Sequence, residues 1–125
     1  MGQPDPHSFL PLTPLWFQIL LALYHHENHG YGIIKDIEDR SGDHFKTATG
    51  PVYLALQRLM DNGLIVEHTP KLKTVDARRR YYRITPLGKR VAVAEAERLM
   101  DMVGSAMELK LIDRDSLMQL AKHGR

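Results

Sequence analysis

The chain of 125 residues contains no cysteine. That absence excludes a disulfide framework, a zinc–thiolate cluster and a thiol nucleophile, and it fits a reducing compartment. Long apolar runs are missing too, for no stretch approaches the ~18 unbroken apolar residues of a membrane span. The opening MGQPDPHSFLPL lacks the basic segment and apolar core of a secretion signal, and Pro6 stands where a myristoylation signal needs Ser or Thr. A cytoplasmic protein is expected. Serine is scarce, at Ser8, Ser41, Ser105 and Ser116 only. With no phosphate-cradling glycine loop and no paired carboxylates beside a candidate pocket, neither an enzyme nor a cofactor is expected. The length suffices for one domain with a real core and no staples.

What is present is unevenly spread. The formal charge is only +2, yet residues 46–90 carry ten Lys or Arg against three Asp or Glu, a local +7. The first 45 residues carry −4 and the last 35 carry −1. A basic middle third of this kind usually meets a polyanion.

Residues 1–12 hold three prolines and little periodicity, and read as a flexible or strapping arm. Thr13 is a helix cap with Pro14 at the first helical position, followed by Leu15, Trp16, Ile19, Leu20 and Leu23 at helical spacing. HHENHGYG breaks that pattern. A second helix then places Ile33, Ile34 and Ile37 inward and stops at Ser41-Gly42. In TATGPVYLALQRLMDNG, Val52, Ala55, Leu56 and Leu59 form one face of a third helix and Thr49, Tyr53 and Gln57 the other. LIVEHT and RRYYRI predict a two-stranded hairpin, with Tyr82 and Ile84 inward and Arg79, Tyr81 and Arg83 outward. Thr85-Pro86 repeats the cap-plus-proline signature and begins a long helix expected to reach about Leu111. A broad apolar arc on that helix includes Val93, Ala96, Leu99, Met100, Val103 and Met107. Within it Val93, Ala96, Met100, Val103 and Met107 keep alternating spacings of three and four, as a helix-pairing seam does. A last short helix is expected after an Asp113 cap.

The order of helix, helix, helix, hairpin and long helix is that of a winged helix-turn-helix. With HGYGI (His29 to Ile33), TGPVYLALQRLMDNGLI (Thr49 to Ile65) and RRYYRITPLG (Arg79 to Gly88), the chain resembles the PadR-like transcriptional regulators, in their shorter branch. The resemblance spans roughly residues 13–110. It implies a fold that is mainly α with a two-stranded β-hairpin. The expected division is a flexible N-terminal arm at 1–12, a winged DNA-binding domain at 13–85, and a dimerisation helix with a short tail helix at 86–125. The third helix would enter the major groove, the wing would lie along the backbone or minor groove, and the long helix would join two subunits. Pro51 stands where the family commonly has Thr or Ser, Ala48 where a Ser cap is common, and Gly32 in a slot often filled by Glu.

The expected DNA contacts are Lys46, Thr49, Gly50, Tyr53 and Gln57 around the third helix, and Lys71, Lys73, Arg78 and Arg79 in or beside the wing. Open N–H groups at a helix start favour phosphate, Gln suits adenine, and the wing bases neutralise phosphates and release counterions. Strand parity sets Arg80 apart, on the hairpin's other face. The dimer interface is expected at Val93, Ala96, Leu99, Met100, Val103 and Met107. Trp16, Met100, Val103 and Met107 are a candidate pocket for a small aromatic or drug-like effector, as the family uses the space between its first and long helices. In HHENH, His25 and His29 lie four apart but out of the zinc-protease order, so a turn rather than a metal site is expected. The functional expectation is a homodimeric repressor on double-stranded DNA with a palindromic operator. The alternative is a winged helix that binds protein and not specific DNA, which the +7 segment disfavours.

Overall fold

The computed structural model describes residues 4–42, 49–68 and 79–123, with side chains described to residue 120. A short 3-10 helix, Pro6–Phe9, precedes α1 (Pro14–Leu23), β1 (Asn28–His29), α2 (Gly30–Ser41), α3 (Thr49–Asp61), β2 (Ile65–His68), β3 (Tyr81–Ile84), α4 (Pro86–Glu108) and α5 (Arg114–His123). Local chemistry sets most of the boundaries. The Thr13 hydroxyl accepts from Trp16 N at 3.1 Å and Pro14 takes the first turn of α1, where no N–H is needed. Helix α2 ends at Gly42, whose φ of 61° is the left-handed cap that a side chain would strain. Pro51 lies in the first turn of α3, where the ring displaces no intrahelical bond.

The apolar periodicity becomes one core. Ile19, Leu20 and Leu23 of α1 meet Ile33, Ile34 and Ile37 of α2 and Val52, Ala55, Leu56 and Leu59 of α3. Leu64, Ile65, Tyr82 and Ile84 close it from the sheet, and Val91 and Ala92 from α4. As the alternation requires, Tyr82 and Ile84 point inward while Arg83 is exposed.

Two expectations need correction. Among the described residues the sheet has three strands, in the order β1-β3-β2, all antiparallel. The unexpected strand is only Asn28 and His29, opposite Tyr82 and Tyr81. Two residues inside HHENHGYG carry no period, so only the approach of β3 makes them a strand. The long helix also stops earlier, at Glu108, because Lys110 takes a φ of 65° and ends the helical run. On α4 the core-facing residues are Gly88, Val91, Ala92, Ala94 and Glu95, and the buried Glu95 carboxylate accepts from Arg98 Nε at 2.6 Å and Nη2 at 2.9 Å.

The joint between the sheet and α4 is built by TPLG. Thr85 N donates to the Leu64 carbonyl at 3.0 Å, and the Thr85 hydroxyl lies 2.8 Å from Gly63 O and 3.1 Å from Leu64 O. The same hydroxyl accepts from Gly88 N at 2.9 Å. A Cβ on Gly88 would run into the Leu64 carbonyl, so glycine is required for α4 to sit this close to the chain entering β2. One threonine therefore caps the long helix and pins it to the wing's base.

Candidate nucleic-acid interface

The first turn of α3 is exposed at Thr49, Gly50 and Pro51, and Tyr53 and Gln57 are exposed further along the same face. The four inward residues of this helix are all buried, so packing fixes which face is offered outward. Gln57 is not idle there. Its Nε2 donates to Asp61 Oδ1 at 3.0 Å, one turn along, which orients the amide and leaves its oxygen and a second N–H to offer a base.

Tyr53 leans toward α2. Its ring occupies the space that a Cβ on Gly30 would need, which is why HGYG begins the second helix with glycine. Gly32, the departure from a family slot often filled by Glu, is explained similarly, because the Asn28 amide fills the space of its absent Cβ. Together His29, Gly30, Tyr31, Tyr53, Arg79 and Arg80 line a cleft of about 330 Å³. The cleft sits where α2 begins, α3 passes and β3 enters the sheet.

His29 organises this cleft. Its backbone begins α2, its Nδ1 accepts from Gly32 N at 3.1 Å, and its ring stands edge-on to Tyr81 with centroids 5.3 Å apart. Arg79 Nη1 approaches the other ring nitrogen at 2.9 Å. Burial, and then the Arg79 charge, hold the His29 pKa below the ordinary histidine value, which favours the neutral ring. Beneath it, burial pushes the Tyr82 phenol above the usual tyrosine value; Glu67 adds to the shift and Arg80 opposes it.

Of the expected DNA contacts, Thr49, Gly50, Tyr53, Gln57 and Arg79 fall on the described part of this surface. Lys46, Lys71, Lys73 and Arg78 lie outside the described residues. Arg80, set apart by strand parity, lines the same cleft as Arg79. Sequence reasoning missed His29 and Tyr31 here, because the turn between α1 and α2 has no periodicity that would aim it at β3. Among the described residues no three His, Asp or Glu side chains group as a metal-ligand set.

The expected seam divides. Val93 and Met100 are exposed at 45% and 66%, Ala96 is exposed as well, and Leu99, Val103 and Met107 are half-buried. Trp16 packs against the core. Two adjoining clefts of about 270 and 410 Å³ run along α4, but they are lined by Pro6, His7, Tyr24, Ala94, Glu97 and neighbours, without Trp16, Met100, Val103 or Met107. The 3-10 helix lies along α4 and supplies their outer wall.

Residues 19–94 match the model of the transcriptional regulator PadR-like family. Among solved structures, a PadR family transcription regulator from Clostridium difficile is 25% identical with a TM-score of 0.67, over 80% of this chain and 100% of that one. A transcriptional regulator from Clostridium thermocellum is 26% identical with a TM-score of 0.66, over 78% of this chain and 90% of that one. Bacillus subtilis PadR in complex with operator DNA is 26% identical with a TM-score of 0.57; the alignment covers 66% of this chain and 47% of that protein. A comparison with curated proteins found no match.

Proposed function

The chain belongs to the PadR-like family of transcriptional regulators, and from that premise we propose that it is a homodimeric repressor that binds a palindromic operator in double-stranded DNA. At the family level it is a DNA-binding regulator of transcription rather than an enzyme. The observation that carries the reading is the grouping of Arg79, Arg80 and His29 with Tyr53, which lies on the exposed face of α3 that also holds Thr49 and Gln57; the arginines and α3 belong to a segment of charge +7. Charge and open N–H groups on one surface suit the phosphate backbone, while Gln57 on the same helix face suits a base edge. The proposed contacts are Lys46, Thr49, Gly50, Tyr53, Gln57, Lys71, Lys73, Arg78 and Arg79.

Two copies paired along α4 would cover Val93, Ala96 and Met100 and set two α3 helices about one DNA turn apart. A cytoplasmic location agrees with the finding that no helix among the described residues is long and apolar enough to cross a membrane. We assign release to a small aromatic effector held by Trp16 together with Met100, Val103 and Met107 across the paired helices. The effector step fails if aromatic compounds neither quench Trp16 fluorescence nor release DNA.

The deciding experiment is fluorescence anisotropy of a labelled fragment from immediately upstream of the protein's own gene, titrated at two salt concentrations with scrambled competitor. Competitor-resistant binding is expected, with Arg79→Ala weakening every duplex and reducing the salt slope by about 1, and Gln57→Ala weakening the operator selectively. Equal binding by the wild type and a charge-reversed wing would refute the DNA reading.

A further inference from the structure

The contact between Arg79 and His29 holds more donors than acceptors. A neutral imidazole has one acceptor nitrogen and one N–H. Here Gly32 N–H points at Nδ1 from 3.1 Å and Arg79 Nη1 lies 2.9 Å from Nε2. With the ring proton on Nε2, the helix cap is satisfied and the guanidinium faces another donor. With the proton on Nδ1, the Arg79 bond forms and Gly32 N–H loses its acceptor. Either tautomer leaves one donor without an acceptor on the ring.

An anion resolves this. One of its oxygens can accept from His29 Nε2–H and another from Arg79, while Nδ1 keeps the Gly32 cap. Space is available in the cleft of about 330 Å³, whose lining among the described residues includes Arg79 and Arg80 and no acidic residue. Among the described residues the carboxylate nearest His29 along the chain, Glu27, lies 3.4 Å from His68 Nε2, and Asn28 Oδ1 accepts from His29 N. Tyr31 and Tyr53 line the same cleft, and Tyr81 stands edge-on to the ring.

We propose that His29 is a positioning residue for one DNA backbone phosphate, seated between its Nε2 and the Arg79 guanidinium, and that this seat links DNA binding to protonation of the ring. The proposal rests on the DNA-binding reading above. In the free protein, burial and Arg79 disfavour the imidazolium. A phosphate neutralises Arg79 and adds negative charge within hydrogen-bond reach, which favours it. Protonation sacrifices the Gly32 cap in both states, so that cost cancels from the difference between them. The ring therefore binds its proton more tightly in the complex, DNA binding takes up protons, and affinity rises as pH falls through the window between the two values. Each unit of difference gives about tenfold in affinity.

The test compares the wild type with His29→Asn, which preserves a side-chain cap and cannot titrate. Anisotropy with a labelled mixed-sequence duplex at low salt, from about pH 8 to about pH 5.5, should show the wild type tightening severalfold more than the variant. The two proteins differ at this position alone, so the difference isolates His29. In wild-type protein, the His29 ring signals in an NMR pH titration should shift to higher pH on adding the duplex. Superimposable binding profiles, or a ring titration that duplex leaves in place, overturn the proposal while leaving DNA binding intact. Absence of wild-type binding at every pH overturns the DNA reading itself. If His29→Asn does not fold, the wild-type ring titration decides alone.

Discussion

Gly88→Ala should destabilise the protein although alanine is the better helix former. The added methyl would meet the Leu64 carbonyl and Ile84 Cγ1. A side chain could rotate aside, but a backbone carbonyl held by Thr85 N at 3.0 Å cannot. Either the start of α4 lifts, which loosens the Thr85 contacts with Gly63, Leu64 and Gly88, or the chain entering β2 shifts within the core. Overpacking of this kind costs ~1–3 kcal/mol, and losing the Thr85 cap adds ~1 kcal/mol. Exchanging glycine for alanine in a helix returns ~1 kcal/mol, leaving a net loss of ~1–3 kcal/mol. At about 4 °C per kcal/mol for a chain of this size, Tm should fall by roughly 4–12 °C. Circular dichroism melts at fixed protein concentration measure it, with Gly104→Ala as the control. Gly104 lies in the same helix with open space around a built Cβ, and there the substitution should stabilise by ~0.5–1 kcal/mol. A Gly88→Ala protein at or above the wild-type Tm would refute the claim that close approach to Leu64 demands glycine.

Other outcomes follow from the same geometry. Thr85→Val removes the cap of α4 and a donor to the Gly63 and Leu64 carbonyls, and should cost ~1–2 kcal/mol in urea titrations. Gly42→Ala forces a side chain into a φ of 61° and should cost ~1 kcal/mol, whereas Gly42→Asn should be milder. For His29 the folded pKa lies below the ordinary 6.5, so its stabilisation is complete above that value and is lost as pH falls through the lower folded one. Melts between about pH 7 and about pH 5 should therefore show the wild type losing more stability on acidification than His29→Asn; parallel losses would show that the cap does not titrate.

Legibility varied by element, for physical reasons. Helices α1, α3 and α4 announce themselves because a Thr-Pro cap or an i, i+3, i+4 apolar row is local information, and the core residues of α3 follow directly from that row. The inward turn of Tyr82 was legible because strand parity admits only one face once Ile84 is placed. Strand β1 was not, since two residues in an aperiodic turn become a strand only when β3 lies beside them. For the same reason His29 read as part of a turn, although its ring reaches Arg79, fifty positions away. Parity also separated Arg80 from Arg79, yet both line one cleft, because Arg80 lies at the entry to β3, where the chain is not yet held in the sheet.

By itself, then, the sequence determined the order of the helices and the hairpin, the core faces of α1, α2 and α3, the basic middle third and the family motifs, because capping, periodicity and charge act over a few residues. Only the tertiary structure decided that Tyr53 packs on Gly30, that Thr85 and Gly88 clamp α4 against Leu64, and that His29 stands between a helix cap and an arginine. Those depend on segments distant in sequence meeting at hydrogen-bond and van der Waals range, a condition that no local pattern of residues encodes.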